Sequence, residues 1–158
     1  MELARTLKAL SDAEVDFIVV GGVSATFHGS SQVTYDLDIC YSRSTENLRR
    51  LTKALAPFRP RPRGFPEGLP FIWDETTLRN GSLFTLTTEL GDIDLLGEVK
   101  GLGTFDDIRP QSVTVDAHGC RVCTIDLRSL IQAKRAAGRE KDLRALPELE
   151  SLLDAENP

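Results

Sequence analysis

Residues 34–41 alternate Tyr35, Leu37, Ile39 and Tyr41 against Thr34, Asp36, Asp38 and Cys40. This period-two pattern predicts a strand with one apolar and one polar face. Leu37 and Ile39 must face a core, which fixes the rotation of the strand and leaves the acids at a rim. Asp36 and Asp38, two residues apart, then project from one face with Cα atoms roughly 6.6 Å apart and can converge on one ion or a pair of ions. Two clustered carboxylates repel, and a bound divalent cation relieves the repulsion. An isolated Asp-x-Asp more often lines the wet face of an edge strand. Here, however, a residue type depleted in strands occurs twice in an otherwise β-rich segment.

The strand is preceded by Phe17-Ile18-Val19-Val20, a short apolar run ended by Gly21-Gly22. Such a run reads as a buried strand meeting a tight turn, with a helix starting over 23–28. Glycines there let backbone approach a ligand, amides at the helix start can receive a phosphate, and Ser24 can add a hydroxyl. A third acid stands in Gly91-Asp92-Ile93-Asp94-Leu95-Leu96. Asp94 is enclosed by apolar neighbours, and a buried charge needs a metal, a cation or a polar cavity. Asp92 lies on the same strand face and is its rival, although its closeness to the turn suits a solvated hairpin residue.

Elsewhere the pattern is that of alternating helices and hairpins. Leu3, Leu7 and Leu10 give an opening amphipathic helix over 2–10, interrupted at Ser11-Asp12. Ser44 caps a helix to about residue 56, with Asn47 where a capping box would carry Glu or Gln. The stretch 58–70 holds four prolines and two glycines, so it predicts no regular element before an edge strand over 71–73. Residues 82–89 and 93–99 form one hairpin candidate; 113–117 and 121–125 form another around His118-Gly119. Asp126 caps a helix that Gly138 ends. A second helix starts near Arg139, where Pro147 breaks it or begins a short terminal helix.

At 158 residues the chain suits one domain over 1–158, with one site to carry function. With 41% apolar and 27% charged residues it is a folded protein rather than a disordered tail. No apolar run approaches the ~20 residues of a membrane span, so no membrane partner is expected. Three cysteines, Cys40, Cys120 and Cys123, in a chain that needs no staples predict free thiols and a reducing, cytoplasmic setting. His118 with Cys120 and Cys123 falls short of the four ligands of structural zinc, so a plain hairpin is the better reading. His28 reads as a helix-end or packing histidine. The net charge of −5 disfavours a broad nucleic-acid footprint, while basic residues gathered between Arg128 and Arg144 leave a local phosphate site open; Lys134 and Lys141 are its candidates.

Together, Gly21-Gly22, His28-Gly29, Thr34, Asp36-Leu37-Asp38 and Asp94 resemble the nucleotidyltransferase fold of the DNA polymerase β superfamily. The form is that of bacterial AbiEii-like or MNT-like small nucleotidyltransferases, often found in toxin–antitoxin systems. Residues 130–143 are similar to the helical tail of that group, and the resemblance spans about 17–146. It implies an α+β fold, a mixed β-sheet flanked by helices, with a core over about 15–126 and a helical tail over about 127–158. It further implies that Asp36, Asp38 and Asp94 are catalytic and ligate Mg²⁺ or Mn²⁺, and that Gly21, Gly22, Ser24, Lys134 and Lys141 contact the nucleotide. The implied reaction moves a nucleoside monophosphate from an NTP to a hydroxyl on a tRNA end, a protein or a small molecule, with a cognate toxin or antitoxin as partner. The alternative is a catalytically silent nucleotide-binding or antitoxin-like subunit. Many members have Gly-Ser where this chain has Gly21-Gly22, and a basic residue where it has Gln32, which leaves phosphate charge to Lys134, Arg139 or Lys141.

Overall fold

The computed structural model describes residues 1–157. The chain begins α1 (Leu3–Asp12), β1 (Phe17–Val20), α2 (Gly21–Phe27), β2 (Asp36–Tyr41) and α3 (Thr45–Leu55). It continues β3 (Arg61–Pro62), α4 (Glu75–Arg79), β4 (Leu83–Thr88), β5 (Gly91–Leu96), β6 (Glu98–Val99) and β7 (Gly103–Thr104). The last part is α5 (Phe105–Ile108), β8 (Ser112–Ala117), β9 (Cys120–Ile125), α6 (Leu127–Ala137) and α7 (Glu140–Glu156). Seven strands form one sheet in the order β3-β4-β5-β2-β1-β9-β8, and β6 and β7 form a separate two-stranded ribbon. The sheet is mixed: β2 runs antiparallel to β1 but parallel to β5, and β1 pairs parallel with β9. This is the α+β arrangement, a mixed sheet flanked by helices, that the family resemblance implied.

Strand alternation sorts the core into two layers. Leu37, Ile39 and Tyr41 are fully buried with Leu7 and Leu10 of α1, Leu48, Leu51 and Leu55 of α3, and Leu78 of α4. Burying each such leucine or isoleucine contributes roughly 1.5–3 kcal/mol. Cys40 points the other way and packs with Ile18, Val20, Leu130, Ile131 and Leu149, under α6 and α7. Asp36 and Asp38 share the face of Cys40, at the end of β2 where that helical cover opens.

Local signals are realised where they were local in origin. Ser44 Oγ accepts the Asn47 amide at 3.2 Å, Asp126 caps α6 by accepting from Ser129, and Gly138 closes α6 at φ +66°. His118 and Gly119 (φ +52° and +81°) make the two-residue turn between β8 and β9, both in the left-handed region that such a hairpin needs.

Other expectations are corrected. Residues 71–73 are not a strand; the edge strand is β3, where Pro62 is tolerated because an outer strand can spare an N–H. Trp73 instead donates its indole N–H to Thr52 O at 2.8 Å, leading into α4, which is capped by Asp74 and was too short to register as a period. Helix α1 runs on through Ser11 and Asp12, and α2 begins at Gly21 itself rather than at Val23. The run 93–99 is divided, β5 ending at Leu96 and β6 starting at Glu98. Pro147 neither breaks nor starts a helix, because α7 continues through it. The carbonyl it deprives of a donor belongs to Leu143, an exposed residue whose backbone water can reach.

The Asn47 side chain does not reach back to complete a capping box with Ser44, although its backbone N–H donates to the Ser44 cap; it is a buried clamp. Its Oδ1 accepts from Asp16 N at 2.7 Å, and its Nδ2 donates to Asp16 O at 3.0 Å and Ser42 O at 2.8 Å. Asn47→Ala orphans these groups and is expected to cost about 2–4 kcal/mol in urea unfolding; a loss below about 0.5 kcal/mol would mean that water takes over all three bonds.

Candidate active site

The site follows from register. Parallel pairing of β2 with β5 sets Asp36 beside Asp92 and Asp38 beside Asp94, so four carboxylates occupy two adjacent rungs on one face. Oxygens of Asp36, Asp38 and Asp94 lie within 4.8 Å of one another. Asp92 is outside this group. Its side chain is 41% exposed against 19% for Asp94, as expected one rung nearer the hairpin turn.

The two glycines are explained by the acids. Val20 pairs with Asp38 across the β1–β2 ladder, which brings the start of α2 against the Asp38 side chain. A Cβ on Gly21 would collide with Asp38 Oδ2, and Gly21 sits at φ +67°, where a side chain is also strained. A Cβ on Gly22 would come 2.7 Å from Thr34 Oγ1. Both glycines therefore make room for the residues that shape the cluster.

Burial, followed by the charges of Asp36 and Asp94, pushes the Asp38 carboxyl up to about 7. Burial and Asp94 also raise Asp36, with Arg63 opposing. Asp38 Oδ1 is buried without a hydrogen-bond partner. Hard oxygen donors in close array and an unpartnered buried carboxylate oxygen fit a Mg²⁺ or Mn²⁺ ion.

Basic side chains surround the acids on two sides. On the β4 side, Arg63 Nη2 meets Asp94 Oδ1 at 2.7 Å and Arg63 Nε meets Asp92 Oδ2 at 3.2 Å. On the helical side, Asp142 is 1% exposed and holds Arg139 through both carboxylate oxygens, at 2.6 and 3.2 Å, and Lys134 at 3.4 Å. Burial alone would raise Asp142, but Arg139 and Lys134 together hold it below the usual carboxylate range. Lys134 and Arg139 stand where two recesses meet at Asp38. One, of about 340 Å³, is polar and includes Thr34, Asp36, Asp94 and Lys141; the other, of about 150 Å³, is walled by Leu96, Val99, Leu130 and Ala133 with Lys100.

Of the residues proposed from sequence, the structure brings together Asp36, Asp38, Asp94, Gly21, Gly22, Lys134 and Lys141. It does not bring Ser24. That side chain is fully buried and its hydroxyl bonds Thr124 Oγ1 at 2.5 Å, so it stitches α2 to β9 and cannot reach a phosphate. His28 is the packing histidine expected, its Nε2–H donating to Ile125 O at 2.8 Å. All three cysteines are free, and Cys40 is an inert thiol that burial pushes up to about 12. Sequence reasoning missed Arg63. Its only signal was Arg61 and Arg63 alternating with prolines, which is too weak to predict a two-residue strand that delivers a guanidinium.

No family model matches the chain, and no curated protein matches it in sequence. Solved structures do match. TM1012 from Thermotoga maritima, to which nucleotidyltransferase activity is ascribed, superposes with a TM-score of 0.62 at 16% identity, over 94% of this chain and 90% of that one. The lincosamide antibiotic adenylyltransferase LnuA, with lincomycin bound, gives 0.62 at 15% identity, over 96% of each chain. The chain has the nucleotidyltransferase fold. Among the described residues no helix is long and apolar enough to cross a membrane.

The raised Asp38 carboxyl has a consequence for stability. Between about pH 4 and pH 7 the unfolded chain gives up this proton while the folded one retains it, so ionisation costs stability as pH rises. In chelator, Asp38→Asn should therefore melt several degrees above wild type at pH 8, with the gap closing toward pH 4. A gap that stays constant across this range would show that Asp38 ionises freely in the fold.

Proposed function

We propose that this protein is a metal-dependent nucleotidyltransferase that moves a nucleoside monophosphate from an NTP to a hydroxyl acceptor and releases pyrophosphate. The observation that carries the reading is the three-carboxylate cluster with its unpartnered buried oxygen, set against a glycine turn and flanked by cations. Asp36, Asp38 and Asp94 would hold Mg²⁺ or Mn²⁺; when bound, such an ion supplies charge that polarises the phosphoryl oxygens and neutralises the leaving group. Lys134, Arg139 and Lys141 line the polar recess and orient the triphosphate as point charges and a fork of donors. Asp94 takes the proton of the acceptor hydroxyl while the acceptor oxygen bonds the α-phosphorus and the bond from that phosphorus to pyrophosphate breaks.

The apolar recess that adjoins Asp38 supports a small hydroxylated molecule as acceptor, ahead of a tRNA end or a protein. The net charge of −5 also disfavours an RNA surface, and LnuA is an adenylyltransferase described with a small antibiotic bound. The three free thiols support a cytoplasmic setting. A role in a toxin–antitoxin pair rests on the family resemblance, and a small cognate protein encoded beside this one would support it.

Incubation with each α-labelled NTP, Mg²⁺ and small-molecule extract should move label onto an acceptor, and Asp38→Asn should lower transfer by orders of magnitude. The reading is wrong if calorimetry finds no NTP binding at millimolar concentration with metal. Thermal melts separate the rival acids: Mg²⁺-NTP should raise the melting temperature of wild type and Asp92→Asn, but not of Asp94→Asn. The reverse pattern would transfer the role to Asp92.

A further inference from the structure

Four carboxylates share the two rungs of β2 and β5, yet among the described residues only one basic side chain forms an ion pair with any of them: Arg63. It is held in place by its backbone. Arg63 follows directly on β3, its amide donates to Thr85 O at 2.8 Å, and Thr85 is the β4 residue paired with Asp94. Its Nη2 also donates to Leu86 O at 3.1 Å. The guanidinium thus lies across the edge of the acidic face with one nitrogen on each of two acids. The segment that carries it is proline- and glycine-rich and contributes nothing else to the cluster.

Asp94 belongs to the group whose oxygens lie within 4.8 Å of one another, and its Oδ1 is taken by Arg63. An ion drawing on Asp94 therefore competes with the guanidinium for the charge of this carboxylate. On the other side of the cleft, Asp142 fixes Lys134 and Arg139 in place, and Lys141 shares their recess. A guanidinium freed on the β4 side would supply the positive charge that this side otherwise lacks.

Resting on the metal-dependent reading above, we infer that Arg63 is an exchangeable counter-ion of the active site: it neutralises Asp92 and Asp94 in the metal-free protein, competes with divalent metal for Asp94, and once displaced binds the triphosphate. Arg63 is then a substrate-contacting residue whose presence weakens binding of metal alone and strengthens binding of the metal–nucleotide complex. The opposed signs separate this role from a structural one, since a residue that merely held the fold would weaken both when removed.

The test uses the full-length protein as wild type, Arg63→Ala and Arg63→Lys. Mn²⁺ alone is titrated by electron paramagnetic resonance, and Mg²⁺ with a non-hydrolysable NTP analogue by calorimetry. Arg63→Ala should bind Mn²⁺ alone about three- to tenfold more tightly, the range expected for loss of one half-exposed, charge-assisted ion pair. It should bind the Mg²⁺–analogue complex more weakly by at least a similar factor. Arg63→Lys, which keeps the charge but loses the fork, should fall between in both titrations and serves if the alanine variant does not fold. Unchanged or weaker Mn²⁺ binding in the variants overturns the competition. Tighter Mn²⁺ binding with unchanged analogue affinity overturns the transfer to phosphate. If wild type binds neither Mn²⁺ nor the analogue, the nucleotidyltransferase reading fails and this inference falls with it; if wild type binds both, only the comparison with the variants decides the inference.

Discussion

The in-register parallel pairing of β2 with β5 is the constraint on which the rest of the molecule turns. It stacks Asp36 against Asp92 and Asp38 against Asp94, and like charges directly opposite one another in a ladder are destabilising. Slipping the register by one residue would relieve the acids but turn Leu37 and Ile39 out of the core, a far larger loss. The apolar face therefore holds the acidic face together. The repulsion is met by what surrounds it: Arg63 at the open edge, a cleft polar enough for water, and the close approach of Gly21 that seals Asp38.

The same strands serve stability a few residues further along. Cys40, one turn of the pleat beyond Asp38 on the same face, is fully buried beneath the second helical layer. Asp38 lies at the boundary between that dry layer and the cleft, which is why its carboxyl is raised and its Oδ1 is without a partner. A site that is strained in this way persists only when the surrounding core over-determines it, and here two apolar layers clamp the sheet from both faces.

What could be read in the sequence was what is encoded within a few residues. The alternation through Asp38, the Ser44 and Asp126 caps and the His118-Gly119 hairpin turn each depend on neighbours two or three positions away, and each is found. The convergence of Asp94 with Asp36 and Asp38 was inferred from its apolar flanks and a family resemblance, and the register supplies its geometry. Arg63 and Ser24 were not readable. The partner of Arg63 lies 31 residues away and is reached through a strand of two residues, below any detectable period. Ser24 sits on a helix short enough that its apolar face is decided by packing on β9, so position after the glycines said nothing about direction.

Residues 127–157 are not an appendage to the acidic core. Helix α6 covers the sheet through Leu130 and Ile131, and α7 returns across it with Leu149 buried. From α7, Glu148 accepts from the hydroxyls of Ser30 and Ser31 at 2.5 and 2.8 Å and so ties down the loop that leads into β2. Asp142, almost wholly inaccessible, anchors Lys134 from the preceding helix and Arg139 from the junction. A buried carboxylate that accepts from two cations is costly to break, because removing one partner leaves an uncompensated charge. The positive wall of the cleft is thereby fixed in place by a buried ion-pair network rather than left to mobile surface side chains. The tail forms the opposite wall of the cleft: β2 and β5 position the carboxylates, and Asp142 of α7 holds Lys134 and Arg139 facing them, where the proposed function places the triphosphate.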